Sequence, residues 1–254
     1  MQQINSHLVE INDLVNEPYS TILGYPRCSS NELESRVKEL RAHGVSALLF
    51  EGSSKIGKLG MLGKGCVSVV VKAIHNDNDN VIALKIRRTD ADRETMEREG
   101  EFLKLANSID VGPRFMQCSK NFLLMDLANG INIFKFVETE NDKAKILNVV
   151  SEVLEQCYRL DRTGLDHGEL SYMAKHVIVG DKATIIDFES ASVNRRVSNV
   201  TAATQYLFIG GVVAKKIRKL LKVHSIDTVI SSLKEYKNDV SKENLERLKK
   251  ILNL

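Results

Sequence analysis

Two stretches of the chain carry residue types suited to phosphate chemistry. In the first, Gly63-Lys64-Gly65 lies between strand-like runs, and glycines let backbone amides approach oxygen atoms that a Cβ would hold away. Ala83 and Lys85 follow in an aliphatic run whose alternation puts them on one face. There a small side chain admits a flat base and an ammonium can reach phosphate oxygens. Fourteen residues on, Glu99 falls in a helical stretch where its carboxylate could hold that ammonium, with Glu97 and Glu101 as rivals. In the second stretch, DHGEL at 166–170 precedes Asp187-Phe188-Glu189, and Glu169 and Asp187 are eighteen residues apart. The stretch reads either as a loop that carries chemistry or as an ordinary hairpin with acidic ends.

The elements that must position these groups are legible as patterns. Ser29 with Glu32 forms a capping box ahead of a helix over 32–42 that Gly44 stops. Strands are expected at 45–51, around 59–63, at 67–73 and at 81–87, the last two joined by the polar turn HNDNDN at 75–80. Thr89 and Asp92 are expected to open a second helix, with Met96, Phe102, Leu103 and Leu105 about one turn apart, ending near Asn107. Gly112-Pro113 breaks the chain, and the runs 114–118 and 122–127 flank SKN as a hairpin. Beyond Asn129-Gly130 the pattern is mainly helical, except that 177–179 and 183–186 pair across Gly180-Asp181-Lys182. The expectation is a strand-rich first half and a helical second half.

Composition restricts the setting. The chain has 254 residues, 43% of them hydrophobic, enough for one large domain or two lobes. The charge balance of 36 basic against 33 acidic residues does not announce a nucleic-acid binder. Lys215, Lys216, Arg218, Lys219 and Lys222 cluster on a helical stretch that reads as a solvated face, with contact to RNA or an acidic partner as the alternative. Four cysteines without a paired spacing read as buried free thiols in a reducing cytosol rather than as a zinc or disulfide framework. With no leader-like start and no apolar run approaching eighteen residues, a cytoplasmic protein without membrane association is expected.

Taken in order, the glycine loop, Ala-x-Lys, the helix glutamate, HGEL and DFE resemble the protein-kinase signature set. The resemblance covers roughly residues 55–195 and is nearest to the small atypical kinases, the RIO type and the kinase of the KEOPS complex. GKGCVSVVVKA, ALKIRRTDADRE, VGPRF, DHGEL and DFESAS look like a family of archaeal predicted serine/threonine protein kinases. The fold so implied is α+β and two-lobed, protein-kinase-like. It has an N-terminal helical extension over 1–44, a strand-rich N-lobe over 45–127 and a short helical C-lobe over 128–254.

The resemblance also implies roles, with ATP and Mg2+, or Mn2+, as cofactors and an unknown protein as substrate. Gly63, Lys64 and Gly65 would cover the phosphates, and Val70 and Ala83 would sandwich the adenine. Lys85, paired with Glu99, would bind the α- and β-phosphates. Met125 would be the gatekeeper, with Asp126 and Ala128 offering backbone hydrogen bonds to the base. Glu169 would be the catalytic base, Asp187 the metal ligand and His176 the second metal position.

Three departures from the family pattern stand out. Ser68 replaces the third glycine. Glu169 is one methylene longer than the aspartate of the pattern. Where an asparagine would hold a second ion, counting without gaps puts Ala174 and aligning the hairpin strands puts His176, the preferred reading, though imidazole is a poor magnesium ligand. Only 67 residues follow Asp187, without an A-P-E motif, which argues against a full substrate platform with a phosphorylated activation loop. Two rival readings are an ATP-binding pseudokinase or ATPase switch acting on a ribosome- or tRNA-linked partner, and a small-molecule phosphotransferase.

Overall fold

The structure is a computed structural model describing residues 7–75, 80–223 and 225–254. Most of the expected polar turn, residues 76–79, lies outside the described residues. The chain divides into two compact units, 1–101 with 114–127 and 102–113 with 128–254. Its mixed α+β composition, an antiparallel sheet early in the chain and helices late, matches the expectation.

The first unit contains β1 (His7–Glu10), α1 (Ser20–Leu23), α2 (Ser30–Ala42), β2 (Val45–Phe50), β3 (Ser54–Ile56), β4 (Leu59–Met61), β5 (Gly63–Lys64), β6 (Ser68–His75), β7 (Asn80–Arg87), β8 (Phe115–Cys118) and β9 (Phe122–Asp126). The main sheet runs β1-β2-β6-β7-β9-β8, with β5 also paired to β6, while β3 and β4 form a separate hairpin. All of these pairings are antiparallel.

Period-two alternation gives the sheet two distinct faces. Val69, Val71 and Ala73 of β6 stand opposite Ile86, Leu84 and Ile82 of β7. This face packs with Leu33, Val37 and Leu40 of α2, and with Ile22 and Leu23 of α1, in one apolar core. The other face carries Val70 opposite Lys85, and Ala83 opposite Met125.

The α2 helix starts as the capping box requires, with Ser29 Oγ accepting from the Glu32 N–H at 3.2 Å, and it is followed by Gly44 at φ +71°. Two features before and after it differ from expectation. Residues 1–44 are not simply a helical extension, because β1 joins the main sheet beside β2. The second helix, α3 (Glu97–Asn107), starts well after Thr89. The Thr89 N–H donates to the Tyr25 carbonyl at 2.8 Å and its hydroxyl to the Arg27 carbonyl at 2.6 Å, so the cap pattern is used for a tertiary contact instead.

The second unit contains β10 (Ile131–Asn132), α4 (Ile133–Thr139), α5 (Lys143–Thr163), α6 (Met173–His176), β11 (Val177–Val179), β12 (Ala183–Ile185), α7 (Asn199–Thr204), α8 (Gly211–Leu221), α9 (Ile226–Asn238) and α10 (Lys242–Ile251). The long α5 buries Ile146, Val149, Val150, Val153, Cys157 and Leu160, the stripe of an amphipathic helix, and ends at Gly164 in the left-handed region. The expected hairpin is present as β11–β12, with Val177 opposite Ile185.

Two readings of surface chemistry change. Lys216 donates to the carbonyls of Glu138 and Glu140 at 2.8 and 2.9 Å, and Arg218 to those of Phe208 and Ile209. Two of the five clustered cations therefore hold carbonyls of their own unit. All four cysteines are free, but only Cys157 is fully buried; Cys66, at the glycine turn, is exposed. Among the described residues no helix is long and apolar enough to cross a membrane.

Candidate active site

In the first unit, Lys85 Nζ donates to Glu99 Oε1 at 2.7 Å, with side chains only 3% and 5% exposed. The rivals Glu97 and Glu101 are exposed. Of the three glutamates, the helix phase of α3 brings Glu99 to Lys85.

Gly63 lies opposite Val70 on the Lys85 face of the sheet. A Cβ built on Gly63 would meet only Val70, at 3.9 Å, and one on Gly65 only the Ser68 carbonyl, at 3.6 Å. No internal contact forces glycine at either position, so the bare backbone leaves room for a ligand's oxygens. Lys64 is turned away: its partner Val69 belongs to the core face, and its ammonium lies 4.8 Å from the centre of the Tyr25 ring. Its side chain is therefore not on the face that carries Lys85. Arg88 shares that ring at 5.0 Å and donates to the Gly65 carbonyl at 2.9 Å. Tyr25 and Arg88 thus brace the glycine turn, and no local sequence signal marked them.

Met125, opposite Ala83 on the same face, is buried. The Asp126 N–H donates to the Arg114 carbonyl at 2.9 Å and its carboxylate pairs with the Arg114 guanidinium at 3.1 Å. The Asp126 N–H is therefore already engaged, and of that residue's backbone groups its carbonyl is the one left to be considered. Ala128, half-buried, falls in the second unit.

In the second unit, the DHGEL segment is held by a dense set of hydrogen bonds. Asp166 accepts from the Ser198 N–H at 2.9 Å and hydroxyl at 3.1 Å on one oxygen and pairs with Arg195 on the other. His167 donates from Nε2 to the Ile186 carbonyl at 3.0 Å, which leaves Nδ1 to accept from the Glu169 N–H at 3.4 Å. Burial pushes its pKa down to about 4, against the pull of the Ile186 carbonyl, so the ring is neutral. Gly168 sits at φ +91°, where a Cβ would be 2.8 Å from the Ser190 carbonyl.

Of the two carboxylates in this segment, Asp166 is buried with both oxygens occupied, whereas the Glu169 side chain is 41% exposed. Only Glu169 can meet an incoming group. Asp187 adopts φ +69°, a left-handed backbone rare outside glycine, of the kind that clusters at functional sites. Phe188 stands against Gly112 of the VGPRF stretch, where a Cβ would approach its ring to 3.0 Å.

His176 lies between the carboxylates. Its Nε2 is 3.8 Å from Glu169 Oε2 and its Nδ1 4.0 Å from Asp187 Oδ2. Ligand-capable atoms of the three residues all lie within 4.8 Å of one another. Asp187 offers the oxygen that Mg2+ takes, but the imidazole does not fit an all-oxygen shell.

A support that the sequence did not reveal reaches this segment from α9. Buried Asp161 accepts from Tyr236 Oη at 3.0 Å, from the Asn199 N–H at 2.9 Å and Nδ2 at 2.8 Å, and from the Val200 N–H at 3.1 Å. Burial raises the Asp161 pKa against these donors. Asn199 in turn accepts the His167 N–H at 2.9 Å. A continuous path therefore runs from Tyr236 to the backbone of Glu169.

The RIO domain family model matches residues 57–202, more than half of the chain. The chain is also similar to an uncharacterized protein of Methanocaldococcus jannaschii, MJ1211, at 35% identity over 82 residues, which is 32% of this chain and 71% of that protein. The family-model match over residues 57–202 includes Lys85, Glu99, Glu169, His176 and Asp187. With the glycine turn, the buried lysine–glutamate pair and the acidic hairpin ends in the order of a kinase, the chain belongs to the protein-kinase-like RIO domain family.

Proposed function

We propose that this protein transfers the γ-phosphate of ATP, with a divalent metal ion, to a serine or threonine hydroxyl of a protein. The observation that carries this reading is the buried Lys85–Glu99 pair on the strand after a glycine turn, in a chain of a kinase family. Such a pair presents an ammonium held ready for the α- and β-phosphates, with little rearrangement left to make on binding. Gly63 and Gly65 would supply backbone amides above the phosphates, with Val70, Ala83 and Met125 against the adenine. The metal would neutralise charge developing on the transferred group, with Asp187 as its oxygen ligand.

Glu169 orients the acceptor hydroxyl and takes its proton. It is the exposed carboxylate of a segment whose other carboxylate is fully engaged. Phosphoryl transfer depends mainly on aiming and electrostatics, so a glutamate in this place is chemically sufficient.

The test is incubation of the purified protein with γ-labelled ATP and Mg2+ or Mn2+, scoring label on the protein, on added protein acceptors and as free phosphate. Label on protein supports the reading. Free phosphate alone would instead support a nucleotide-governed switch, a reading favoured by the imidazole at the second metal position.

A further inference from the structure

His176 poses a problem that the phosphotransfer reading does not solve. Its side chain is 6% exposed, yet Nδ1 has no hydrogen-bond partner. A buried polar atom left this way forfeits its hydration without compensation, and a native structure keeps one only for a reason. The ring is not free to turn away: it packs edge-on against His167, with centroids 5.3 Å apart.

The surroundings indicate what Nδ1 awaits. It faces Asp187 Oδ2 at 4.0 Å, too far for a hydrogen bond and within the separation of two ligands on one ion whose bonds are about 2.1 Å each. The opposite nitrogen, Nε2, faces Glu169 Oε2 at 3.8 Å, itself longer than a hydrogen bond, so a shift of the half-exposed Glu169 side chain by about 1 Å brings the carboxylate onto it. A carboxylate on one ring nitrogen and a metal on the other is the usual way a ligating histidine is oriented and made more basic. Asp187 is held toward this space by a backbone at φ +69°.

We propose that His176 Nδ1 and Asp187 together hold a divalent first-row transition ion, with Glu169 on Nε2 as the orienting carboxylate. The resident ion of this chain is then of the Mn2+ or Co2+ kind rather than Mg2+. A nitrogen donor adds affinity along the series from Mn2+ to Cu2+ but adds little for Mg2+, which keeps to oxygen and water. The proposal deepens the phosphotransfer reading and rests on it for the role of the ion, though not for the ion's binding.

The experiment uses the full chain without nucleotide. Bound Mn2+ is measured by electron paramagnetic resonance, with Mg2+ as competitor, and Co2+ by its visible absorption. One Mn2+ per chain is expected, with on the order of a hundredfold more Mg2+ needed to displace half of it, because the nitrogen donor favours Mn2+ and adds little for Mg2+. His176→Asn should reduce that ratio at least about tenfold and remove the nitrogen-ligand features of the Co2+ spectrum. Glu169→Gln should weaken Mn2+ about 10–100-fold without removing those features. His176→Gln, checked by circular dichroism, guards against a folding defect in the asparagine variant. Displacement of Mn2+ by equimolar Mg2+, or an unchanged ratio in folded His176 variants, overturns the proposal. ATP binding to the metal-free protein judges the phosphotransfer reading separately: its absence rejects that reading while the metal preference stands or falls on its own data.

Discussion

Lys85 and Glu99 meet at 2.7 Å with almost no water around either side chain. A pair so placed is poor evidence for stability, because desolvation opposes the attraction, but removing one partner leaves the other charge buried without it. Lys85→Met is therefore expected to lose ATP binding and also to destabilise the protein by about 3–5 kcal/mol. The double variant Lys85→Met/Glu99→Gln should regain much of that stability and none of the binding. Urea unfolding and calorimetric ATP titration of both variants check this, and full stability in the single variant would contradict it.

Asp187→Asn should weaken metal-dependent ATP binding far more than adenosine binding, since only the phosphates share the ion. Equal losses for the two ligands in calorimetry would remove Asp187 from the metal.

Glu169→Gln preserves size and removes charge, so phosphoryl transfer should fall by roughly a hundredfold or more while ATP affinity measured without metal changes little. Transfer at the wild-type rate would reduce DHGEL to loop architecture.

His167 supplies a pH prediction. Its folded pKa of about 4 lies below the ordinary 6.5, so the unfolded chain binds the extra proton first. The stability tied to the neutral ring is complete above about pH 6.5 and is lost progressively as pH falls toward 4, by on the order of 3 kcal/mol. His167→Asn should flatten the difference between unfolding midpoints at pH 7 and pH 4.5. A variant as pH-sensitive as the wild type would show that other groups carry the effect.

What the sequence revealed and what it hid divide along contact distance. The hairpin β6–β7 and the helix α2 were legible because β-branched alternation and a capping box are local signals. The β1 strand was not, because four residues pair with a partner some forty positions away and carry little pattern of their own. Thr89 misled for a related reason: its cap-like character is real, but the carbonyls of Tyr25 and Arg27 claim it.

The same division holds at the site. Glycine turn, lysine, glutamate and acidic hairpin ends could be read by order and spacing. The path Tyr236–Asp161–Asn199–His167 could not, since its members come together only when α5, α7 and α9 pack. Nor could sequence show that Lys64 faces Tyr25, because one residue's parity in β5 decides its side of the sheet.

The family match begins at residue 57, but the sheet that carries Lys85 is completed by residues before it. Leu14, Ile22, Leu23, Val37, Leu40 and Phe50 cover its apolar face, and buried Arg36 donates to the Leu23 and Arg87 carbonyls at 2.9 and 2.7 Å, stitching the early chain to the end of β7. Homology and foldability thus have different boundaries on this chain. A fragment trimmed to the matched stretch would bare Val69, Val71, Leu84 and Ile86 and strip β2 from β6, presenting a greasy surface beside a raw strand edge, the combination that drives copies to aggregate.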